Sequence, residues 1–258
     1  MADEQNKRES AGLKQPFTSQ PVFNAKFTVT NMKKALSLIA FLSFTLCSYS
    51  QQTETRNVGS FRGVKAGEGI DVYLKKGAQE SVRVEVSGTG ISNVITEISG
   101  DYLKIHMAEG RYNNSRTVKV YVTYVEVDRL SASSAANIYA DGPISSKSLS
   151  LSSSSAGTIE LSVDAESVSV SASSAGDIEL KGKAKRVSID ASSAGEVDAY
   201  DLDAEEANAS ASSGADVKLS VTQKLDARAS SGGSIRYRGS PAKTNTNSSS
   251  GGSVRKTS

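Results

Sequence analysis

Residues 168–180 read VSVSASSAGDIEL, and close variants of this string return to the end of the chain. Anchored on its Ser-Ser pair, the pattern appears as SSAA at 133, SSAG at 154, 173 and 192, SSGA at 212, and SSGG at 230 and 249. Successive spacings are 21, 19, 19, 20, 18 and 19 residues. A disordered Ser-rich linker has no reason to hold such a register or to keep apolar residues at fixed places. Alternating stretches precede the pairs: LSLSS, VSVSA, VSIDA, ANASA, LDARA and TNTNS. A second alternating stretch follows each pair, built around Ile138, Ile159, Ile178, Val197, Val217, Ile235 or Val254. Alternation with period two is the strand signal, because successive side chains point to opposite faces.

Each unit therefore supplies two short strands joined by a tight Ser-Ser-Ala/Gly corner. One unit cannot bury its apolar side alone, but stacked units can. The expected fold is all-β: a parallel β-solenoid, or β-helix, of two-strand coils about 19 residues long, with an irregular β-rich N-terminal head. Val168, Val170, Ile178 and Leu180 point inward from one coil, and Val187, Ile189 and Val197 take the same places in the next. Glycine at the corner suits positive φ and close approach of adjacent coils. Serine beside it can bond nearby backbone groups. The inward residues shrink along the chain, from Val168/Val170 and Val187/Ile189 to Ala209/Ala211, Ala227/Ala229 and Thr244/Thr246. A polar last coil, TNTNSSSGGSVRKTS, reads as a cap over an otherwise sticky solenoid end.

Composition fits this thin architecture. Of 258 residues 37% are hydrophobic and none is Trp, so large core residues are scarce. A net charge of +2 gives no basis for a nucleic-acid or anionic-membrane partner. The single cysteine excludes an intrachain disulfide and a cysteine-based zinc cluster, and the single histidine, His106, argues against a Ser-His-Asp triad. In YLKIHM, a regular strand places His106 on the face opposite Leu103, Ile105 and Met107.

The N-terminal third of the pattern is a targeting segment. Residues 32–50, MKKALSLIAFLSFTLCSYS, run from two lysines through an apolar stretch to Ser48-Tyr49-Ser50, the order of a secretory signal. The apolar run is too short for a membrane span, which takes about 20 residues. Cleavage is expected near Ser50/Gln51, which places the mature chain outside the cytoplasm, in the periplasm, on the outer surface or secreted. Lipidation of Cys47 ranks second, because the bulky Leu46 precedes it. Residues 1–31 read as an upstream segment ahead of the true start. The expected organisation is then a short linker at 51–56, a β-rich head at 57–128, and a repeat solenoid at 129–258 that continues from the head. No transmembrane span is expected in the mature chain.

The head carries GIDVYLKKG (69–77), SVRVEVSG (81–88), NVITEISG (93–100), DYLKIHM (101–107) and TVKVYVTYVEV (117–127), separated by turn signals. With SFRGVKAGEGIDVYLKKG, then VRVEVSG, YLKIHM, VKVYVT and serial SSAG coils, the chain resembles the bacterial secreted auto-transporter adhesin family with a head GIN domain. The resemblance covers roughly residues 57–255 and rests on Gly69–Val72 and the repeated corners. It implies a β-helix-like fold and an extracytoplasmic place, and it brings no catalytic or binding residues. The polar repeats up to SVRKTS hold none of the alternating strands of about 9–11 residues that build a membrane barrel, so only the passenger-like solenoid is matched.

One feature points to chemistry. Outward positions read Asp177/Glu179 and then Glu196/Asp198 in adjacent coils, about 4.8 Å apart. Four acids so placed form a negative patch, which is either a solvated outer face or an oxygen-only site suited to Ca²⁺. No other cofactor is indicated. Further along, the second of these positions becomes Lys218, Arg236 and Arg255. Tyr73, Tyr121 and Tyr139 face outward and serve either sugar stacking or cross-strand packing. No GxSxG elbow accompanies the serines. The expected function is a non-enzymatic adhesin-like or structural module of the bacterial envelope, with a surface glycan or an envelope protein as partner and no oligomeric state indicated. The alternative is a carbohydrate-active β-helix enzyme, a lyase or hydrolase, that uses the acidic ladder. N-terminal sequencing of the exported protein should begin at Gln51; an acylated Cys47 at the mature N-terminus would instead establish the lipoprotein route.

Overall fold

The computed structural model describes residues 51–112 and 115–257. The expected signal at 32–50, Cys47 and the segment before them lie outside these residues. Apart from one 3-10 turn at Ile91–Asn93, the regular elements described are strands.

The corner sets the geometry. In Ser173–Gly176, Gly176 N–H donates to Ser173 O at 2.9 Å, while Ser174 and Ala175 take φ of 51° and 59°. Two successive positive φ values inside a four-residue turn make it type I′. The next coil then locks the corner, because Ala175 N–H donates to Ser193 O at 3.1 Å. The same bond joins Ala156 to Ser174, Ala194 to Ser213, Gly214 to Ser231 and Gly232 to Ser250. Sequence reading gives the corner glycine both positive φ and close approach, and the structure divides these by position: Gly214, Gly232 and Gly251 at the third place take positive φ, while at the SSAG corners Ser and Ala take it. Gly176 is needed for proximity: a Cβ there would stand 2.5 Å from the Ser153 carbonyl of the preceding coil. Gly157, Gly195, Gly233 and Gly252 meet a neighbouring carbonyl in the same way.

At the second bend the expected break between strands is missing. Strands β10 (Ile144–Ser154), β11 (Thr158–Ser173), β12 (Asp177–Ala191), β13 (Glu196–Ala211) and β14 (Asp216–Ala229) each run unbroken from one limb of a coil into the next. Here the chain only slips phase, with two adjacent outward residues such as Glu166-Ser167 or Lys185-Arg186 between buried neighbours. The parallel ladder between coils continues on both sides of the bend, pairing Val163 with Gly182 and Val168 with Val187, so no turn is required.

Inward columns fill the bore. One limb stacks Leu151, Val170, Ile189, Ala209 and Ala227, and the other stacks Ile138, Ile159, Ile178, Val197, Val217 and Ile235, all buried. The one buried polar side chain among the described residues, Ser153, donates Oγ to Gly157 O at 2.6 Å. Thr244 and Thr246 in β16 (Lys243–Ser248) are exposed, and β16 and β17 (Ser253–Lys256) pair only with the coil before them.

The head departs from chain order. Strands β2 (Gly63–Ala66) and β3 (Asp71–Lys76) form a coil whose corner, Gly67-Glu68-Gly69, has positive φ at Glu68 and Gly69. Gly69 N–H donates to Ser134 O at 2.9 Å, the same bond that joins the Ser-Ser corners. This coil pairs on one side with β8 (Arg129–Ala132) and β9 (Asn137–Asp141). Its other side pairs with β6 (Tyr102–Met107) and β7 (Thr117–Tyr124), which come later in the chain. Three antiparallel strands, β1 (Gln52–Arg56), β4 (Ser81–Ser87) and β5 (Val94–Ser99), finish this end: β1 lies on β4, β4 on β7 and β5 on β6.

Gly176→Ala should lower stability by about 1–3 kcal/mol through overpacking against a backbone oxygen, whereas Ala175→Gly, which relieves a left-handed residue, should be neutral or stabilising. Urea denaturation midpoints of the two variants check this contrast.

Candidate functional site

The residues singled out in the sequence fall on one outward face. On the limb that follows the Ser-Ser corner, one column reads Tyr121, Tyr73, Tyr139, Glu160, Glu179, Asp198, Lys218, Arg236 and Arg255 in spatial order. Beside it run Asp71, Asn137, Thr158, Asp177, Glu196, Asp216, Ser234 and Ser253. In-register parallel stacking converts a repeat position in the sequence into a straight column on the surface. The face is thus aromatic at the head end, acidic in the middle and basic toward the C-terminal end.

The tyrosines pack on one another. Tyr73 lies between Tyr121 and Tyr139, with ring centroids 5.2 and 5.4 Å apart and interplanar angles of 20° and 24°. The Arg83 guanidinium sits 4.1 Å from the Tyr121 ring centroid. The Tyr73 ring is covered by a tyrosine on each side, so the three side chains act together as cross-strand packing.

The structure brings Asp177, Glu179, Glu196 and Asp198 together, but with amines between them. Lys218 Nζ lies 2.9 Å from Glu196 Oε1 and 3.1 Å from Asp198 Oδ2. Lys181 Nζ lies 2.7 Å from Glu179 Oε1 and 3.7 Å from Glu160 Oε1. Arg236 pairs with Asp216 in the preceding coil. These amines hold the places between carboxylates that a Ca²⁺ ion would take. Among the described residues no group of three or more His, Cys, Asp or Glu side chains is arranged to hold a metal ion. Sequence reading found the acids and the later switch to Lys218 and Arg236 but missed Lys181, although period-two alternation puts it two residues beyond Glu179 on the same face.

Asp177 is the exception, with no amine bonded to it. Crowding by the adjacent coils, together with the charges of Glu196 and Glu179, pushes its carboxyl above the usual aspartate range, against a smaller pull from Lys218. His106 stands opposite buried Leu103, Ile105 and Met107, with Nδ1 2.9 Å from Met107 O and Nε2 3.7 Å from Glu97. No nucleophile is paired with it in these contacts. On the neighbouring coil Tyr200 carries the Arg238 guanidinium 4.0 Å from its ring centroid, and its hydroxyl lies 3.1 Å from Thr257 Oγ1. Neither Tyr200 nor Arg238 is signalled by the repeat, since both sit where coil length varies.

A carboxyl whose folded pKa is raised contributes stability that is fully present below its unfolded pKa and lost as pH rises through the folded one. Asp177→Asn should therefore raise the urea midpoint at neutral pH, and the gain should vanish at about pH 3, where aspartate is already protonated.

Comparison with known proteins agrees with this architecture. Among curated proteins no sequence matches the chain. Solved structures share the fold: a "putative adhesin" from Bacteroides fragilis superposes with a TM-score of 0.74 at 17% identity, covering 81% of this chain and 98% of that one. A "Putative lipid binding protein" from Parabacteroides distasonis gives 0.62 at 19% identity, with 82% and 98% covered. A "putative adhesin" from Parabacteroides merdae gives 0.61 at 17% identity, again with 82% and 98% covered. No helix among the described residues is long and apolar enough to cross a membrane. Residues 60–241 match the family described as "Putative auto-transporter adhesin, head GIN domain", and over that span the corner glycines, inward columns and head strands are those described above; the chain belongs to this family.

Proposed function

We propose that the protein acts outside the cytoplasm, after removal of residues 32–50, as a non-enzymatic β-solenoid that presents a rigid charge-segregated face to a glycan or protein of the bacterial envelope. The observation that carries this reading is the column running from Tyr121 through Glu179 and Asp198 to Arg236 and Arg255. Its spacing is fixed by backbone hydrogen bonds along the whole stack. Such a face suits an extended partner with repeating charge, because each coil offers one position every 4.8 Å or so. The lipid named for one structural relative finds little support here. The bore is filled by buried side chains, and Ile98 is the large apolar residue left exposed among those described.

One observation favours the enzymatic alternative. Asp177 carries a raised pKa beside Glu196, and perturbed carboxyl pairs are what glycosidic cleavage requires. Weighing against it, Glu196 is held by Lys218, and the hollow of about 170 Å³ on this face is lined by Glu179, Asp198 and Asp201 rather than by Asp177 and Glu196. A glycan array run alongside polysaccharide-cleavage assays should show binding without turnover. Turnover that disappears in Asp177→Ala or Glu196→Ala would overturn the non-enzymatic reading. Fractionation of intact cells with external protease should show the mature chain accessible or released; protection of the whole chain would restrict it to the periplasm.

A further inference from the structure

A second surface differs in kind from the face just described. At the second bend of each coil a groove of about 860 Å³ runs along the solenoid axis across β10 to β14. Its floor is a column of methyl groups, Ala165, Ala184 and Ala204, in register from coil to coil. Two ridges of exposed charged side chains flank it. One is Asp164, Lys183 and Asp203, and the other is Glu166, Lys185 and Glu205. Outside the second ridge, Arg186, Glu206 and Lys224 continue in the same register.

The charges are sorted by coil. The β11 bend carries only acids, Asp164 and Glu166. The β12 bend carries only cations, Lys183, Lys185 and Arg186. The β13 bend returns to acids, Asp203, Glu205 and Glu206, and β14 adds Lys224. Bands of opposite sign therefore alternate at about 4.8 Å along the axis. Intramolecular pairing uses few of them: Lys183 Nζ meets Asp164 Oδ2 at 3.3 Å and Gln223 Nε2 meets Glu205 Oε2 at 3.2 Å. Among the described residues the side chains of Glu166, Lys185, Arg186, Asp203, Glu206 and Lys224 have no hydrogen-bond or ion-pair partner. On the other face Lys181, Lys218 and Arg236 neutralise their acidic neighbours. The bend face carries its charge outward.

We propose that the occupant of this groove is the same surface of a second copy of the chain, packed antiparallel about a two-fold axis between the β12 and β13 bends. In that arrangement the cationic β12 band faces the acidic β13 band of the other copy, and the acidic β11 band faces its Lys224 band. Rotation about that axis sets each ridge against its own counterpart, so Lys183, Lys185 and Arg186 of one copy face Asp203, Glu205 and Glu206 of the other, with the two alanine floors opposed between them. A two-fold interface needs a self-complementary patch, and reversal of an alternating series supplies one. Parallel, in-register pairing would set like bands against each other and is disfavoured.

Sedimentation of the purified protein tests this directly. The expected result is a dimer at low salt that weakens by more than about tenfold as ionic strength rises toward 1 M, where the screening length falls to about 3 Å. Lys183→Glu/Lys185→Glu/Arg186→Glu reverses the β12 band, and Asp203→Lys/Glu205→Lys/Glu206→Lys reverses the β13 band. Each triple variant alone should be monomeric, and an equimolar mixture of the two should form a heterodimer. That rescue also shows that both variants are folded, and circular dichroism checks them singly. A monomeric wild type at low salt overturns the proposal whatever the variants do. Dimers that survive in either folded triple variant, or a mixture that stays monomeric, overturn it as well.

Discussion

The bond from the left-handed corner residue of one coil to the serine carbonyl of the next is the constraint on which the rest depends. It holds the two residues of positive φ in a conformation that costs L-amino acids about 1–2 kcal/mol each, repeated at every Ser-Ser corner. That cost is offset because a type I′ turn reverses the chain in four residues and aims both limbs inward. With the corner fixed, coil spacing is fixed, and so is the registry of every outward side chain. Glycine at the fourth turn position of five corners answers the same constraint, since there the spacing brings a neighbouring carbonyl to where a Cβ would stand, while Ala136 and Ala215 take that place at the other two.

Much of this was legible in the sequence because a solenoid writes its geometry as a period. Val168 and Val187, or Ile159 and Ile178, share a column because the repeat length is preserved between them, and both pairs are buried as read. The parts that escaped are those where period and geometry separate. At the SSAA and SSAG corners positive φ falls on Ser and Ala, residues whose composition gives no hint of it, whereas Gly214, Gly232 and Gly251 take it as expected. The Gly67-Glu68-Gly69 corner lacks the Ser-Ser anchor and stands 66 residues from the Ser133-Ser134 corner it stacks upon, so no repeat search aligns them. Strands β6 and β7 alternate convincingly, yet alternation cannot say that they stack on strands made earlier. The missing break at the second bend has a similar cause: a phase slip of one residue looks like a loop in the sequence and is only a curve in the chain.

The two charged faces show how the same device serves different ends. On one, cations of Lys181 and Lys218 reach across coils to acids of the same molecule, and the result is a largely neutralised surface with Asp177 left over. On the other, each coil keeps a single sign, and Lys183 with Asp164 is the one ion pair between neighbouring bands among the described residues. Surface ion pairs of the first kind stabilise by about 0–1 kcal/mol each; charges of the second kind act on whatever approaches.

The position of the β2–β3 coil also orders events in time. It is flanked on both sides by strands made after it, so its edges stay open until the chain through Asp141 has emerged. From that point each later coil can add to a finished template as it appears, in the order of synthesis. The head thus offers the template edge, and the repeats extend it coil by coil. The exposed threonines of β16, with little apolar surface to offer a further coil, end that growth.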